Sequence, residues 1–561
     1  MMTVEQINLA LAELHESPSH ERMVGFVKLL VDWLGLPQPE RLGFRPVDFK
    51  ESLRDHLVKH PLAPQLQFYQ MTADHSPINL RLAVLKKVSK KTIRLLIDKH
   101  VRMEFQNAPE VIQSLPSAPP YYLHVVSTPS YDGVHIILHR GDQKRIMVLR
   151  RKLTHTQFQK TLPGWHNAGA KPKAEINALL WKSLDLKEVN KEFYGQIKER
   201  YDDLVGLALT QKPKAPEQEV RQFAVRLIGR YIFCWFLKEK GVIPEALLVA
   251  EAIKKHPGAF GNTVLRKLFF ETLNAEVSDP ARLQTHTELD EHFKNIPYLN
   301  GGLFDRHAED VLFDQLQLDS WLLGFVEVLE RFDFTVDESS SQYQLVAIDP
   351  EMLGRIFENL LATQNQDTEK AANQRKAFGA FYTPREIVDY MVNESLKAYL
   401  EARLLPPTPE EESSIVSEPL VENKGTLFEA LEPRQTLLNL SASEIGAAER
   451  AAHHRTRLRE RIDKLFHPDC NENPFPKDEQ EQVRKALREV TILDPACGSG
   501  AFPMGVVLRL MELRQIVGHG HRNSYDLKNE ILSKSIYGVD IMPMAVEIAR
   551  LRAWLSLVLE A

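Results

Sequence analysis

Cysteine is scarce in this chain: three in 561 residues, at positions 234, 470 and 497. They are too few for a disulfide framework and too scattered for a metal-ligand spacing, which fits a reducing cytoplasm. No apolar run approaches the ~20 residues that a membrane span needs. Residues 1–11 also lack the basic-then-apolar layout of a secretory signal. A membrane partner is therefore not expected. Neither sign of charge dominates, and the formal net charge of −6 does not announce a polyanion binder. A local basic face matters more than that total, so nucleic-acid binding stays open. There is no internal repeat. What remains is an ordinary globular composition, 43% hydrophobic and 26% charged, on a chain long enough for about three or four domains.

Residues 1–118 read as a mostly helical N-terminal region, with apolar positions three and four apart. Inside it, Lys86, Lys87, Lys90, Lys91 and Arg94, followed by Lys99 and Arg102, form a basic cluster interleaved with Leu85, Val88, Ile93 and Leu96. That pattern fits a helix with one buried and one charged face. The charged face is either simply solvated or a candidate for phosphate contact. From 119 to 170 the period becomes strand-like: 121–126 and 134–138 flank a Tyr131-Asp132-Gly133 turn, and 146–149 follows Gly141-Asp142. A small antiparallel β element is expected. Residues 171–335 return to helix, where Phe223 to Leu237 is apolar and closes on Lys238, Lys240 and Gly241. The stretch 336–403 is a helical segment. Residues 404–488 open on Pro406-Pro407-Thr408-Pro409 and an acidic run, a linker leading into a charged helical insertion.

The most specific stretch is Ile492-Leu493-Asp494-Pro495-Ala496-Cys497-Gly498-Ser499-Gly500-Ala501-Phe502. An apolar strand runs into an acid, then into a turn with two glycines one residue apart, then into a helix. Glycine lets the backbone approach a ligand closely, because no Cβ intervenes. A second strand, Ile536-Tyr537-Gly538-Val539, likewise ends on an acid, Asp540, before Ile541 and a helix predicted from Ala545. In doubly wound folds such an acid accepts hydrogen bonds from ribose hydroxyls. The separation of 540 − 494 = 46 residues exceeds the ~20 of a compact dinucleotide unit. Part of that excess is expected to be a polar surface loop at 519–529. Upstream lie Asp349-Pro350-Glu351-Met352-Leu353-Gly354 and Phe381-Tyr382-Thr383-Pro384, where Thr383 suits a helix N-cap and Pro384 the first helical turn.

Asp-Pro-Ala-Cys-Gly-Ser-Gly-Ala-Phe resembles the S-adenosylmethionine loop of amino-methylating DNA methyltransferases. Taken with Phe-Tyr-Thr-Pro and Val539-Asp540-Ile541, residues 290–561 resemble a large gamma-type adenine-N6 enzyme of the type IIG restriction–modification and phage-defence kind. Tyr298-Leu299-Asn300-Gly301-Gly302-Leu303-Phe304 also resembles a segment ahead of that core. The resemblance implies a Rossmann-like α/β methyltransferase core over 489–561, incomplete at its C-terminus, preceded by the helical region and the small β element. It implies S-adenosylmethionine as cofactor, held by Phe381, Tyr382, Thr383, Pro384, Asp494, Pro495, Ala496, Gly498, Gly500, Asp540 and Ile541. In that scheme Asp494 meets the cofactor's amino group, Asp540 its ribose and Ile541 its adenine. The amides of Gly498 and Gly500 lie where a helix start can receive a carboxylate. Cys497 is a small filler. Double-stranded DNA is the implied partner.

The family's catalytic Asn-Pro-Pro-Tyr, which grips the amine of a flipped base, has no counterpart. Pro119-Pro120-Tyr121 follows Ala118, and Asn473-Pro474-Phe475 lacks the paired prolines. No catalytic residue and no metal ligand is therefore assigned. Only 561 − 540 = 21 residues follow Asp540, so the sheet is expected to be completed by a longer enzyme or by a second polypeptide. An Asp with a following Glu-x-Lys, the nuclease signature, is likewise missing. Glu239 lies in a helical context, and a nuclease-like remnant is one reading of 119–170. Two alternatives accompany the methyltransferase: a bifunctional restriction endonuclease–methyltransferase, and a non-catalytic cofactor- or DNA-binding subunit.

Overall fold

A computed structural model describes residues 2–38, 67–85, 122–276, 290–335, 343–352, 383–405, 442–467 and 470–558. Short gaps fall at 74–75, 132, 141–142, 259, 300–301, 471 and 519–522, and positions 88, 93, 354, 356 and 360 are also described. The basic cluster Lys86, Lys87, Lys90, Lys91 and Arg94, and the pair Phe381 and Tyr382, lie outside the described residues. The chain divides into two compact units, Met1–Arg375 and Lys376–Ala561.

The first unit opens with helices α1 (Val4–Glu16) and α2 (His20–Trp33). Ile7, Leu11 and Leu14 on one, and Phe26, Val27, Leu30 and Val31 on the other, recur at helical spacing and join a core with the sheet. That sheet is larger than the sequence suggests. It has six strands in the order β1 (Gln67–Gln70), β2 (Asn79–Val84), β3 (Tyr122–Ser127), β4 (Val134–Arg140), β5 (Gln143–Leu149) and β6 (Tyr343–Leu345). The three expected strands are its centre, paired antiparallel. Two corrections follow. Residues 1–118, expected to be mostly helical, also supply the two strands β1 and β2. The sheet is mixed rather than antiparallel, because β2 pairs parallel to β3 and β6 parallel to β5. Parallel partners are joined by long excursions, and a local pattern carries no trace of them.

Helix α4 (Glu217–Glu239), after α3 (Leu186–Gln211), forms as its termini predict. Acids occupy its first turn, Lys238 its last, and Gly241 takes φ +70° while Val242 N–H returns to the Leu237 carbonyl at 2.9 Å. Its buried Arg230 pairs with both carboxylate oxygens of Asp310 at 2.6 and 2.9 Å. The same guanidinium donates to the carbonyls of Leu303 and Asp305 at 2.7 and 2.8 Å. The Gly302–Phe304 turn is thereby tied to the helix.

Between β4, β5, β6 and the segment 333–335 lies a cavity of about 270 Å³, lined in part by His135, Val148, Arg150, Asp333 and Phe334. Burial pushes the Asp333 carboxyl up to about 7; Glu239 adds to the shift, and Arg150 opposes it. A carboxyl held above its ordinary value stabilises the fold fully below pH 4, and that contribution fades as pH rises through about 7. Asp333→Asn should therefore leave the urea midpoint near wild type at pH 4.5 and raise it at pH 8. Equal shifts at both pH values would rule out this titration.

The second unit is built on α6 (Arg385–Leu404), α7 (Ala442–Phe466), α8 (Lys477–Glu489), β7 (Ile492–Asp494), α9 (Ala501–Ile516), α10 (Ser524–Lys534), β8 (Ile536–Gly538) and α11 (Pro543–Val558), with α5 (Asp319–Leu329) closing the helices of the first. Three expectations are corrected. Pro384 itself is the N-cap of α6 and Arg385 the first helical residue, so Thr383 does not cap. Residues 524–529 belong to α10, whose N-cap Asn523 accepts from Tyr525 N–H at 3.2 Å, and are not surface loop. Helices α7 and α8 are no insertion either. Leu458, Ile462 and Leu465, with Val483 and Leu487, share one core with Val388, Val392 and Leu396 of α6 and Val507 and Leu510 of α9.

Candidate cofactor site

Strands β7 and β8 run parallel, pairing Ile492 with Ile536, Leu493 with Tyr537 and Asp494 with Gly538. Alternation sends Ile492 and Ile536 into the core and leaves Leu493 and Tyr537 exposed on the other face. The strands therefore end side by side, β7 on Asp494 itself and β8 two residues before Asp540. The loop between β7 and α9 is shaped by two left-handed glycines, Gly498 at φ +52° and Gly500 at φ +88°.

The internal hydrogen bonds of the loop are dense. Cys497 N–H donates to the Val539 carbonyl at 3.0 Å, and Val539 N–H to the Asp494 carbonyl at 2.9 Å. Gly498 N–H donates to Oδ2 of Asp540 at 2.9 Å, while Met542 N–H donates to Oδ1 at 2.8 Å. Gly500 N–H donates to the Cys497 carbonyl at 2.8 Å. The two glycine amides proposed from sequence as carboxylate donors are thus already engaged within the loop. Pro503 has no N–H, and Met504 N–H starts the helical ladder by donating to the Gly500 carbonyl at 3.0 Å. The amides of Ala501 and Phe502, in the first turn of α9, are the donors this arrangement leaves for an anion.

Asp494 is used on one side only. Its Oδ1 accepts Ala496 N–H at 3.1 Å. Its Oδ2 is buried with no hydrogen-bond partner. An orphaned buried carboxylate oxygen is uncommon and suits a ligand that brings its own donor. Burial raises the Asp494 carboxyl above its usual range; the Ala496 amide opposes this, and the nearby Asp540 charge adds to it. A cationic amino group would relieve both effects. Ile541, just past Asp540, is 74% exposed. So large an apolar exposure beside polar groups fits a wall for a flat ring. The residues present therefore fit S-adenosylmethionine: an acid for its amine, helix amides for its carboxylate, an acid for its ribose and an apolar side chain for its base. Pro495 and Ala496 form the outer turn of the loop.

Cys497 is buried under Gly538, where a Cβ would lie 3.0 Å from its sulfur. Burial first, then the charges of Asp494 and Asp540, push its thiol up to about 11. It is a packing group and not a nucleophile. Of the upstream residues, Thr383 is half-buried and Pro384 exposed at the start of α6. That helix packs on α9 closely enough that a Cβ on Gly505 would stand 2.6 Å from Val388. The sequence reading missed Arg552 of α11, whose buried Nη1 donates to the Ser499 carbonyl at 2.8 Å inside the loop. The available signal was an arginine set among Ile548, Leu551 and Leu555, a charge on an otherwise apolar face. Among the described residues no group of three or more His, Cys, Asp or Glu could hold a metal ion. No described helix is long and apolar enough to cross a membrane.

Residues 471–558 match the family model described as MmeI, DNA-methyltransferase domain. The matched residues include both strand ends and the glycine loop of the candidate site. A putative type II restriction enzyme and methyltransferase of Methanocaldococcus jannaschii is 29% identical over 357 residues, 62% of this chain and 26% of that protein. The chain thus spans about a quarter of the length of that relative. The solved structure of the type IIL restriction-modification enzyme MmeI in complex with DNA aligns with 65% of this chain and 36% of its own, at 17% identity and a TM-score of 0.35.

Proposed function

We propose that this chain carries the cofactor-binding half of a DNA methyltransferase that moves a methyl group from S-adenosylmethionine to adenine N6 within a restriction–modification or phage-defence system. The observation that carries this reading is the pair of acids at and just past the ends of two adjacent strands, around a doubly left-handed glycine loop, with Asp494 Oδ2 left without a partner. The MmeI-type match over 471–558 supports it. The fold reading that accompanies it is a Rossmann-like α/β core begun by β7 and β8. Bound there, S-adenosylmethionine would supply a methyl group on a sulfonium, already a good leaving group, so the step needs no metal. The chain's own part is to grip and orient. Asp494 fixes the amine, the first turn of α9 the carboxylate, Asp540 the ribose and Ile541 the adenine; Phe381, Tyr382, Thr383 and Pro384 are proposed to close over the methionine end. Orientation of this kind accounts for much of the rate in group transfer between bound partners. Adenine is the base proposed because the motifs follow the gamma-type order, with Phe-Tyr-Thr-Pro ahead of the glycine loop. The grip on that amine, and the reading of the DNA site, are proposed to come from outside this sequence, from a longer chain or a second polypeptide.

Calorimetric titration of S-adenosylmethionine into the chain tests the reading. Wild type should bind in the micromolar range, and Asp494→Ala should weaken binding about tenfold to a hundredfold, the size of a charge-assisted hydrogen bond. A folded wild-type chain that takes up no cofactor would sink the proposal. A bifunctional endonuclease–methyltransferase is the second reading, favoured by the name of the Methanocaldococcus relative, which joins both activities. Magnesium-dependent cleavage of DNA by the complete protein would decide for it.

A further inference from the structure

We propose that Arg552 is a positioning residue for the cofactor loop, holding the Ser499–Gly500 peptide in the orientation that lets an anion approach the start of α9. The inference rests on the cofactor reading above and adds a residue to it. A loop with left-handed glycines at 498 and 500 gains close approach at the expense of stiffness, because glycine opposes rotation of its neighbouring peptides least of all residues. The Ser499–Gly500 peptide lies between those two pivots. It is held at both ends: its N–H by the Cys497 carbonyl at 2.8 Å, and its C=O by Arg552 Nη1 at 2.8 Å.

Removal of the guanidinium leaves a buried carbonyl short of a donor, and the peptide can recover one by turning that oxygen outward. Each peptide carries a dipole of about 3.5 D. Reversed, this one would present its negative end beside the amides of Ala501 and Phe502, where the ligand's carboxylate is to sit. Helix α11 meets the loop at Ala549 as well as at Arg552. Ala549 lies three residues before Arg552, one helical turn away, and it is the residue that a Cβ on Gly500 would strike, at 3.0 Å. The far end of α11 is anchored independently of the loop, because the buried Lys528 of α10 donates to the Ser556 carbonyl at 2.8 Å. Two buried cations thus secure one helix, Arg552 at the loop and Lys528 at the far end.

That difference supplies the test. S-adenosylmethionine is titrated into the full chain as wild type, Arg552→Met, Arg552→Lys and Lys528→Met, with the urea midpoint of each measured alongside. Arg552→Met should raise Kd about tenfold to a hundredfold. Arg552→Lys should fall between it and wild type, since an ammonium can reach a single carbonyl. Lys528→Met should lower the urea midpoint yet keep wild-type affinity. Wild-type affinity in Arg552→Met overturns the proposal, as does equal weakening by Lys528→Met, which would mean that α11 acts through general stability. If Arg552→Met does not fold, amide exchange at Gly500 in Arg552→Lys decides: faster exchange supports the clamp, and unchanged exchange with unchanged affinity overturns it. A folded wild-type chain that binds no cofactor is a different failure, that of the cofactor site itself.

Discussion

Asp540→Asn should cost about a hundredfold or more in S-adenosylmethionine affinity, although the change replaces a single oxygen by nitrogen. The reason is that both carboxylate oxygens already accept a backbone N–H, from Gly498 at 2.9 Å and from Met542 at 2.8 Å. A carboxylate only accepts, whereas an amide presents one acceptor and one donor end. In either rotamer the new NH2 group would face a backbone donor, leaving one N–H unsatisfied and pushing the strand ends apart. An unsatisfied partly buried donor costs about 1–3 kcal/mol, and the charge-assisted bonds lost were the stronger kind. The ribose acceptor proposed at the same carboxylate disappears as well. Adenosine, which lacks the methionine end, should lose affinity by a similar factor, whereas Asp494→Ala should leave adenosine nearly untouched. Titration of both ligands into both variants separates the two acids. Wild-type affinity in Asp540→Asn would remove Asp540 from the site.

That double use of Asp540 was not legible in the sequence. The strand, the acid and the glycine pair were, because each is a local pattern: an apolar run ending at an acid, then two glycines one residue apart, both of which take positive φ. The partner of the Gly498 amide, however, lies 42 residues away, and nothing in the loop's own residues reserves its N–H groups. The same limit explains the sheet of the first unit. β3, β4 and β5 are neighbours in sequence and were readable as hairpins, whereas β2 and β6 join by parallel pairing across long excursions. In α7 and α8 the buried positions among the described residues form one narrow stripe, Leu458, Ile462, Leu465 and Phe466 on one and Val483, Ala486 and Leu487 on the other. Charge on the remaining faces made a core element resemble a solvated insertion. Arg230 and Arg552 invert that case. Each is a cation in an apolar run, tolerable only where buried carbonyls or carboxylates receive it.

Gly500→Ala should be the most damaging single methyl in the second unit, through two additive effects that one further substitution separates in part. The backbone there sits at φ +88°, and a residue with a Cβ held in that left-handed region is strained by about 1–2 kcal/mol. The added Cβ would also stand 3.0 Å from the Ala549 Cβ and 3.2 Å from its Cα. The second of these atoms is backbone and cannot swing aside, so α11 must shift, an overpacking term of about 1–3 kcal/mol. Together they predict a loss of about 2–5 kcal/mol in unfolding free energy and, in any chain that stays folded, cofactor binding too weak to titrate. Ala549→Gly removes the clash with the methyl group, while the close approach to the helix backbone and the φ strain both remain. The double variant should therefore recover part of the stability and little of the binding, because Arg552 on the same helix would still be displaced from Ser499. Full recovery of both would mean that Gly500 is required only for room. Recovery of neither would assign the whole effect to the backbone conformation of Gly500 together with the close approach of the Ala549 Cα.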